Sequence, residues 1–234
     1  MITTMKLAQH QVRRLDAVAE TEFTERLAEL VRRTEPSLLP RFPIQVQRRI
    51  VSNLVERARA VGAASQRAMA TWACLMAAIA PNIGADPAVR AWLARTGSTV
   101  DATIPMLSEL LSPRDWERID AARADLALFT PVSADVWPLE QRVAAALPLV
   151  LWDRVSVAEA PSLAAQAMQM ARQLGMAALE DAPLALAALR KLYEFAPGAA
   201  QPAWLDDLRQ PGTPPAVQLA MLRARIMLDH GRWA

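Results

Sequence analysis

Side chains that could perform catalysis or bind a metal are few and far apart in this sequence. The chain has two histidines, His10 and His230, near opposite termini, and one cysteine, Cys74, within an alanine-rich stretch. A zinc site needs several such ligands, and acid–base catalysis needs a positioned base. A buried apolar setting also disfavours the thiolate that makes a cysteine reactive. The sequence therefore predicts neither a metal site nor a catalytic role for these three residues.

Other motifs of catalysis and cofactor binding are missing from the sequence. Its seven glycines are scattered singly, so it has neither a phosphate-binding loop nor a dinucleotide fingerprint. The nucleophile elbow GxSxG is absent as well. Asp206 and Asp207 are adjacent and would project differently from a helix, which favours a solvated helix start over an acid–base pair. We predict no cofactor and no enzymatic activity.

Charge is distributed unevenly along the chain. Residues 1–67 hold 12 Lys or Arg against 7 Asp or Glu, whereas residues 68–234 hold 14 against 17, and the overall formal charge is +2. So small an overall charge is weak for nucleic-acid binding, and the seven tryptophans lie within apolar stripes instead of between arginines. We therefore predict a protein partner and no nucleic acid.

Three arginines in the basic N-terminal part are candidates for contacting that partner. On the predicted helices, Arg32 and Arg49 project away from the apolar stripes, and Arg48 lies at the edge of one. They are predicted to form a basic face for an acidic segment of another protein. The alternative is that these arginines pair with acidic residues on solvated helices: Glu25, Glu29 and Glu56.

Composition and periodicity predict an all-α fold. The chain has 47 alanines against 7 glycines, which favours helix. Apolar residues recur at helical spacing, as Phe23, Leu27, Leu30 and Val31 do, and no stretch shows the period-two alternation of a strand. A multi-helix bundle or array of about ten helices is predicted, at positions 22–34, 43–62, 65–80, 86–93, 112–126, 138–150 (kinked or split at Pro148), 161–174, 182–195, 204–208 and 214–228.

The two halves of the sequence share an order of landmarks. ARAVG at 58–62 recurs as ARQLG at 171–175, and each is followed by an apolar helix, an Ala-Pro pair and a Trp-Leu pair. This favours two similar helical units in tandem, 1–116 and 117–234, although short identities are common in alanine-rich helices. Residues assigned a structural role in corners and helix packing are Gly62, Trp72, Trp92, Gly175 and Trp204.

Residues 7–116 carry a family resemblance. The matching segments are QHQVRRLDAVAETEF, ERLAELVRRTEP, ERARAVGAASQRAM and LMAAIAPNIGADPAVRAWL. They resemble small helical proteins encoded beside spike and effector genes of bacterial type VI secretion systems. The chain departs from that family at Ala60-Val61-Gly62, where an aromatic residue is usual, and lacks the usual Phe-Asp at the helix exit. The resemblance implies a non-enzymatic accessory protein, an effector chaperone, adaptor or co-effector, whose partner is a secreted effector or a spike component.

Two other functions remain open from the sequence. The protein could be an immunity protein that binds and neutralises a cognate toxin. It could also be an enzyme on an unfamiliar helical scaffold, which would require a deep pocket with clustered carboxylates or His10 beside His230.

The sequence also bears on location. A single cysteine cannot form an internal disulfide, and the N-terminus shows no apolar export signal. The longest uncharged stretch, between Arg67 and Asp86, is broken by Pro81 and Gly84 before it could span a bilayer. We expect a cytoplasmic protein without a membrane span.

Overall fold

The fold is all-α, as predicted. The structure, a computed structural model, describes residues 9–95, 97–193, 208 and 212–230, with side chains described between residues 18 and 229, and within these ranges it contains no strand. The α-helices are α1 (Gln9–Thr34), α2 (Ile44–Ala60), α3 (Gln66–Ala78), α4 (Pro87–Leu93), α5 (Val100–Thr103), α6 (Leu107–Leu110), α7 (Pro113–Ala121), α8 (Leu126–Phe129), α9 (Leu139–Val150), α10 (Ala160–Gln173), α11 (Ala182–Leu192) and α12 (Pro215–His230). Short 3₁₀ helices cover Ile83–Ala85, Ile104–Met106 and Val132–Val136.

Helices α1 and α2 form an antiparallel pair at the N-terminus. Arg59 near the end of α2 contacts Glu20 of α1, and Gln47 near the start of α2 contacts Arg32 near the end of α1. Of the apolar residues at helical spacing in α1, Phe23, Leu27 and Val31 are buried, whereas Leu30 is 40% exposed. The prediction was wrong for Leu30, because helical spacing alone does not fix how wide a buried stripe is. Ile44, at the start of α2, is 47% exposed.

Helix α3 packs against both α1 and α2. It begins as predicted at Ser65, whose side chain accepts a hydrogen bond from the backbone N–H of Ala68. Trp72 of α3 is 1% exposed and lies against Gly84, where a Cβ atom would come within 3.2 Å of Trp72 Cζ2. Gly84 therefore permits the loop after α3 to approach the indole ring closely.

Three predicted helices differ from those observed. The helix predicted over 22–34 begins thirteen residues earlier, at Gln9. The helix predicted over 112–126 ends at Ala121, because Asn82 holds the chain beyond it: its Nδ2 donates to the Ala122 carbonyl and its Oδ1 accepts from the Ala124 N–H. The helix predicted to be kinked or split at Pro148 is not split and runs from Leu139 to Val150.

The corners at Gly62 and Gly175 have the same backbone structure. Both glycines have positive φ, +95° and +68°, which a residue with a Cβ adopts only with strain. In each corner the residue after the glycine donates its N–H to a buried alanine carbonyl five residues earlier, Ala63 to Ala58 and Met176 to Ala171. This is the Schellman arrangement that ends a helix. The matching sequences ARAVG and ARQLG thus form matching helix ends.

One hydrophobic core runs through the described residues, from Phe23 of α1 to Ile226 of α12. Within it, the buried amide of Asn53 on α2 donates to the Leu128 carbonyl of α8 at 2.7 Å. The predicted boundary between 116 and 117 lies inside α7. Two tandem units remain a prediction, and Trp204, with most of the helix predicted around it, lies outside the described residues.

Candidate functional site

Two of the three predicted partner-binding arginines line one groove between α1 and α2. We call it the α1–α2 groove; its volume is about 560 Å³. Ala28 of α1 and Val51 of α2, both buried, lie at its floor, and Ile44 is at one end. Its other lining residues are Glu20, Thr21, Thr24, Glu25, Arg32 and Arg48.

Arg32 is held in place by neighbouring side chains. Its Nε and a terminal nitrogen donate to Gln47 Oε1 at 3.3 and 3.2 Å, and its other terminal nitrogen lies 3.0 Å from a Glu29 carboxylate oxygen. Arg33 also pairs with Glu29, and these two arginines hold the pKa of that carboxyl below its usual value. For Arg32, therefore, the ion-paired alternative describes the structure.

Arg48 and Arg49 differ from Arg32. Both are exposed on α2, and neither has an ion-pair partner among the described side chains. Arg48 lines the α1–α2 groove, whereas Arg49 is not among the groove-lining residues. These two guanidinium groups are available for an acidic partner without displacing an internal carboxylate.

The α1–α2 groove is polarised along its length. At the end of α1, Arg32 and Arg33 share Glu29, and Arg48 adds a positive charge without a carboxylate partner among the described side chains; we call this the basic end. At the opposite end Glu20 pairs with Arg59 at 2.6 Å, while Glu25, also in the groove lining, is exposed and forms no ion pair with a described side chain; this is the acidic end. The sequence predicted the basic end only.

A second cavity, the central cleft, lies between helices of the two sequence halves and has a volume of about 360 Å³. Trp72, Arg57, Asn82, Asp135, Arg142 and Glu180 contribute to its lining. Arg57 forms a bidentate ion pair with Asp135, both distances 2.9 Å, and its Nε donates to the Ala127 carbonyl. Arg142 pairs with Glu180. The charged groups of the cleft thus neutralise one another and hold 3₁₀ and loop segments in place.

Clustered carboxylates do occur, but away from both cavities. Asp125 and Asp181 are each 2% exposed. Asp181 accepts hydrogen bonds from the backbone N–H groups of Asp125 and Leu126, at 2.5 and 2.8 Å, at the start of α8. Arg123 pairs with Asp125 at 2.7 Å, and Arg223 of α12 pairs with Asp181. We call these four charged residues the carboxylate cluster; it is closed to substrate and joins α12 to the rest of the fold.

The carboxylate cluster predicts a pH dependence of stability. Burial, and next the charge of Asp125, raise the pKa of Asp181 from 3.8 to about 7. Between these values the folded protein binds a proton that the unfolded chain has released, so the free energy of unfolding falls as pH rises from about 4 to 7. Below about pH 4 the free energy of unfolding instead rises with pH, because Arg118 lowers the pKa of Asp86 in the folded protein.

We expect the thermal unfolding midpoint to be higher at pH 5 than at pH 8, measured by calorimetry at fixed ionic strength. Asp181→Asn should flatten this difference, since the titrating group is gone. An unchanged difference in that variant would show that Asp181 is not its source.

Cys74 and Trp92 line neither the α1–α2 groove nor the central cleft, and they are not part of the carboxylate cluster. Cys74 is half-buried, its Sγ accepts a hydrogen bond from the Thr34 hydroxyl at 3.6 Å, and burial raises the pKa of its thiol. Trp92 is partly buried, with the Arg95 guanidinium 4.7 Å from its ring centre. The His10 and His230 side chains lie outside the described part of the structure.

Among the described residues no group of three or more His, Cys, Asp or Glu could hold a metal ion, and no helix there is long and apolar enough to cross a bilayer.

Compared with known proteins, the chain matches no family model, no curated protein and no solved structure.

Proposed function

We propose that this protein is a non-enzymatic accessory factor that binds another protein through the α1–α2 groove. The observation that carries the proposal is Arg48, exposed and without an acidic partner among the described side chains, at the basic end of a groove with an apolar floor; the exposed Arg49 follows it on α2. Apolar area surrounded by charges is a frequent arrangement at protein interfaces, where charges set register and association rate.

The charged groups of the central cleft and of the carboxylate cluster favour binding over catalysis. The two arginines of the cleft are already paired with Asp135 and Glu180, and the buried carboxylates of Asp125 and Asp181 are bonded to arginines and backbone N–H groups. A general base needs a free acceptor within reach of substrate. Asp125 and Asp181 are closed to substrate, and both carboxylate oxygens of Asp135 accept hydrogen bonds from Arg57.

For the class of partner we rely on the sequence resemblance of residues 7–116. We propose a secreted effector or a spike component of a type VI secretion system, bound in the cytoplasm before export, with this protein as chaperone or adaptor. The basic end of the groove would then contact an acidic surface of the cargo.

The test is co-expression with the products of neighbouring spike and effector genes, followed by affinity purification and sizing of the complex. We expect one of them to co-purify with the wild-type protein and to be lost from Arg48→Glu/Arg49→Glu. The matched control is Arg90→Glu/Arg114→Glu, which reverses two exposed arginines on α4 and α7 and should retain the partner. Failure of every neighbouring product to co-purify would contradict the proposal.

A further inference from the structure

The α1–α2 groove has the dimensions of a helix-binding site. It extends along α1 from Glu20 to Arg32, twelve residues apart, which corresponds to about 18 Å, or a little over three helical turns. Antiparallel helices such as α1 and α2 leave a straight furrow into which the ridge of a third helix can pack. Ala28 at its floor has a small side chain that permits close approach, and the half-exposed Ile44 extends the apolar surface at one end.

Charges at the two ends of the groove specify what that helix must present. Arg48 lacks a carboxylate partner at the basic end, and Glu25 lacks a cationic partner toward the acidic end, in each case among the described side chains. A bound segment that brought the opposite charge to each end would compensate both, whereas a uniformly acidic segment would be repelled at one of them.

We propose, building on the proposed function, that the α1–α2 groove binds an amphipathic helix of the partner protein with acidic residues at one end and basic residues at the other. Its apolar stripe packs on Ala28 and Ile44, its acidic end lies against Arg48, and its basic end lies against Glu25. A helix is itself stabilised by acidic residues in its first turn and basic residues in its last. Such a helix would run antiparallel to α1.

The test uses two synthetic helical peptides of equal length with the same leucine stripe at i, i+3, i+4 and i+7. The first carries glutamates in its first turn and lysines in its last; the second carries lysines in both. Binding of each labelled peptide to the full-length protein is measured by fluorescence anisotropy. The wild-type protein should bind the first peptide about fivefold more tightly than the second, because the first turn, which faces Arg48, changes from glutamate to lysine between them.

Groove variants make the test specific. In Arg48→Glu/Arg49→Glu both ends of the groove are acidic, so the preference should reverse in favour of the second peptide. Ala28→Trp should fill the groove floor and weaken both peptides, whereas Arg90→Glu/Arg114→Glu should leave both affinities unchanged. Equal affinities for the two peptides, or a preference that survives reversal of Arg48 and Arg49, would overturn the inference.

The two proposals can fail separately. If a neighbouring gene product co-purifies through Arg48 and Arg49 but the first peptide does not bind, the protein is an adaptor whose groove holds something other than this kind of helix. If the peptide binds with the expected preference and no neighbouring product co-purifies, the groove recognises such a helix, and the assignment to secretion is wrong.

Discussion

Replacement of Asp181 by alanine should lower the free energy of unfolding by about 3–5 kcal/mol, the usual cost of breaking a buried ion pair. The change removes the acceptor of the Asp125 and Leu126 N–H groups and leaves Arg223 without its closest carboxylate. It also weakens the attachment of α12, because Arg223 of that helix keeps only the more distant Asp125 carboxylate, at 3.6 Å. Urea unfolding followed by circular dichroism measures the loss.

Two variants control this experiment. Asp181→Asn keeps an oxygen that can accept one backbone hydrogen bond, so it should cost less than alanine. Asp120→Ala removes a carboxylate from the exposed face of α7 and should change stability by no more than about 0.5 kcal/mol. Equal stabilities of the Asp181→Ala and Asp120→Ala variants would show that the carboxylate cluster contributes little to the fold.

Trp72→Ala is expected to have an effect of similar size, about 3–5 kcal/mol, because it removes a large buried aromatic side chain and leaves a void. Trp72 is 1% exposed and contacts the loop after α3 at Gly84. The indole also forms part of the central cleft, so its loss enlarges a cavity that Arg57 and Asp135 otherwise bound. The surrounding helices are held by their own contacts and can close only part of this space.

The matched control for Trp72→Ala is Trp137→Ala. Trp137 is 41% exposed and follows the 3₁₀ helix Val132–Val136, so its truncation should cost less than about 1 kcal/mol. Urea unfolding of both variants under the same conditions makes the comparison. A cost at Trp72 no greater than that at Trp137 would mean that α3 is not a central element of the core.

Sequence periodicity predicted the long helices, apart from the first thirteen residues of α1, because their buried faces repeat every three or four residues. Ser65, Asp86 and Ser112 also begin α3, α4 and α7 as predicted, since their side chains accept backbone N–H groups there. The short helices over residues 100–110 were not predicted, because a single turn has too few residues for a period. Their position depends partly on Asp101, which accepts the N–H groups of Ala64 and Ser65, a contact between distant parts of the chain.

The candidate site was predicted in part. Placing Arg32, Arg48 and Arg49 on exposed faces follows from helical spacing, but their pairing depends on which residues of the neighbouring helix lie opposite. Arg32 meets Gln47 and Glu29, whereas Arg48 and Arg49 meet no carboxylate among the described side chains. The carboxylate cluster was missed as well. Its sequence signal is weak: Asp125 and Asp181 each precede an apolar run, as N-terminal helix residues on the surface often do.

The hydrogen bond between Asn53 and Leu128 has a consequence for the order in which the chain folds during synthesis. Domains begin to fold from the N-terminus as they emerge from the ribosome. When α1, α2 and α3 are complete, the Asn53 amide still lacks its acceptor, which is 75 residues further along the chain. An amide left unpaired in an apolar core costs about 1–3 kcal/mol. The nascent N-terminal helices are therefore expected to remain incompletely packed until α8 has been translated.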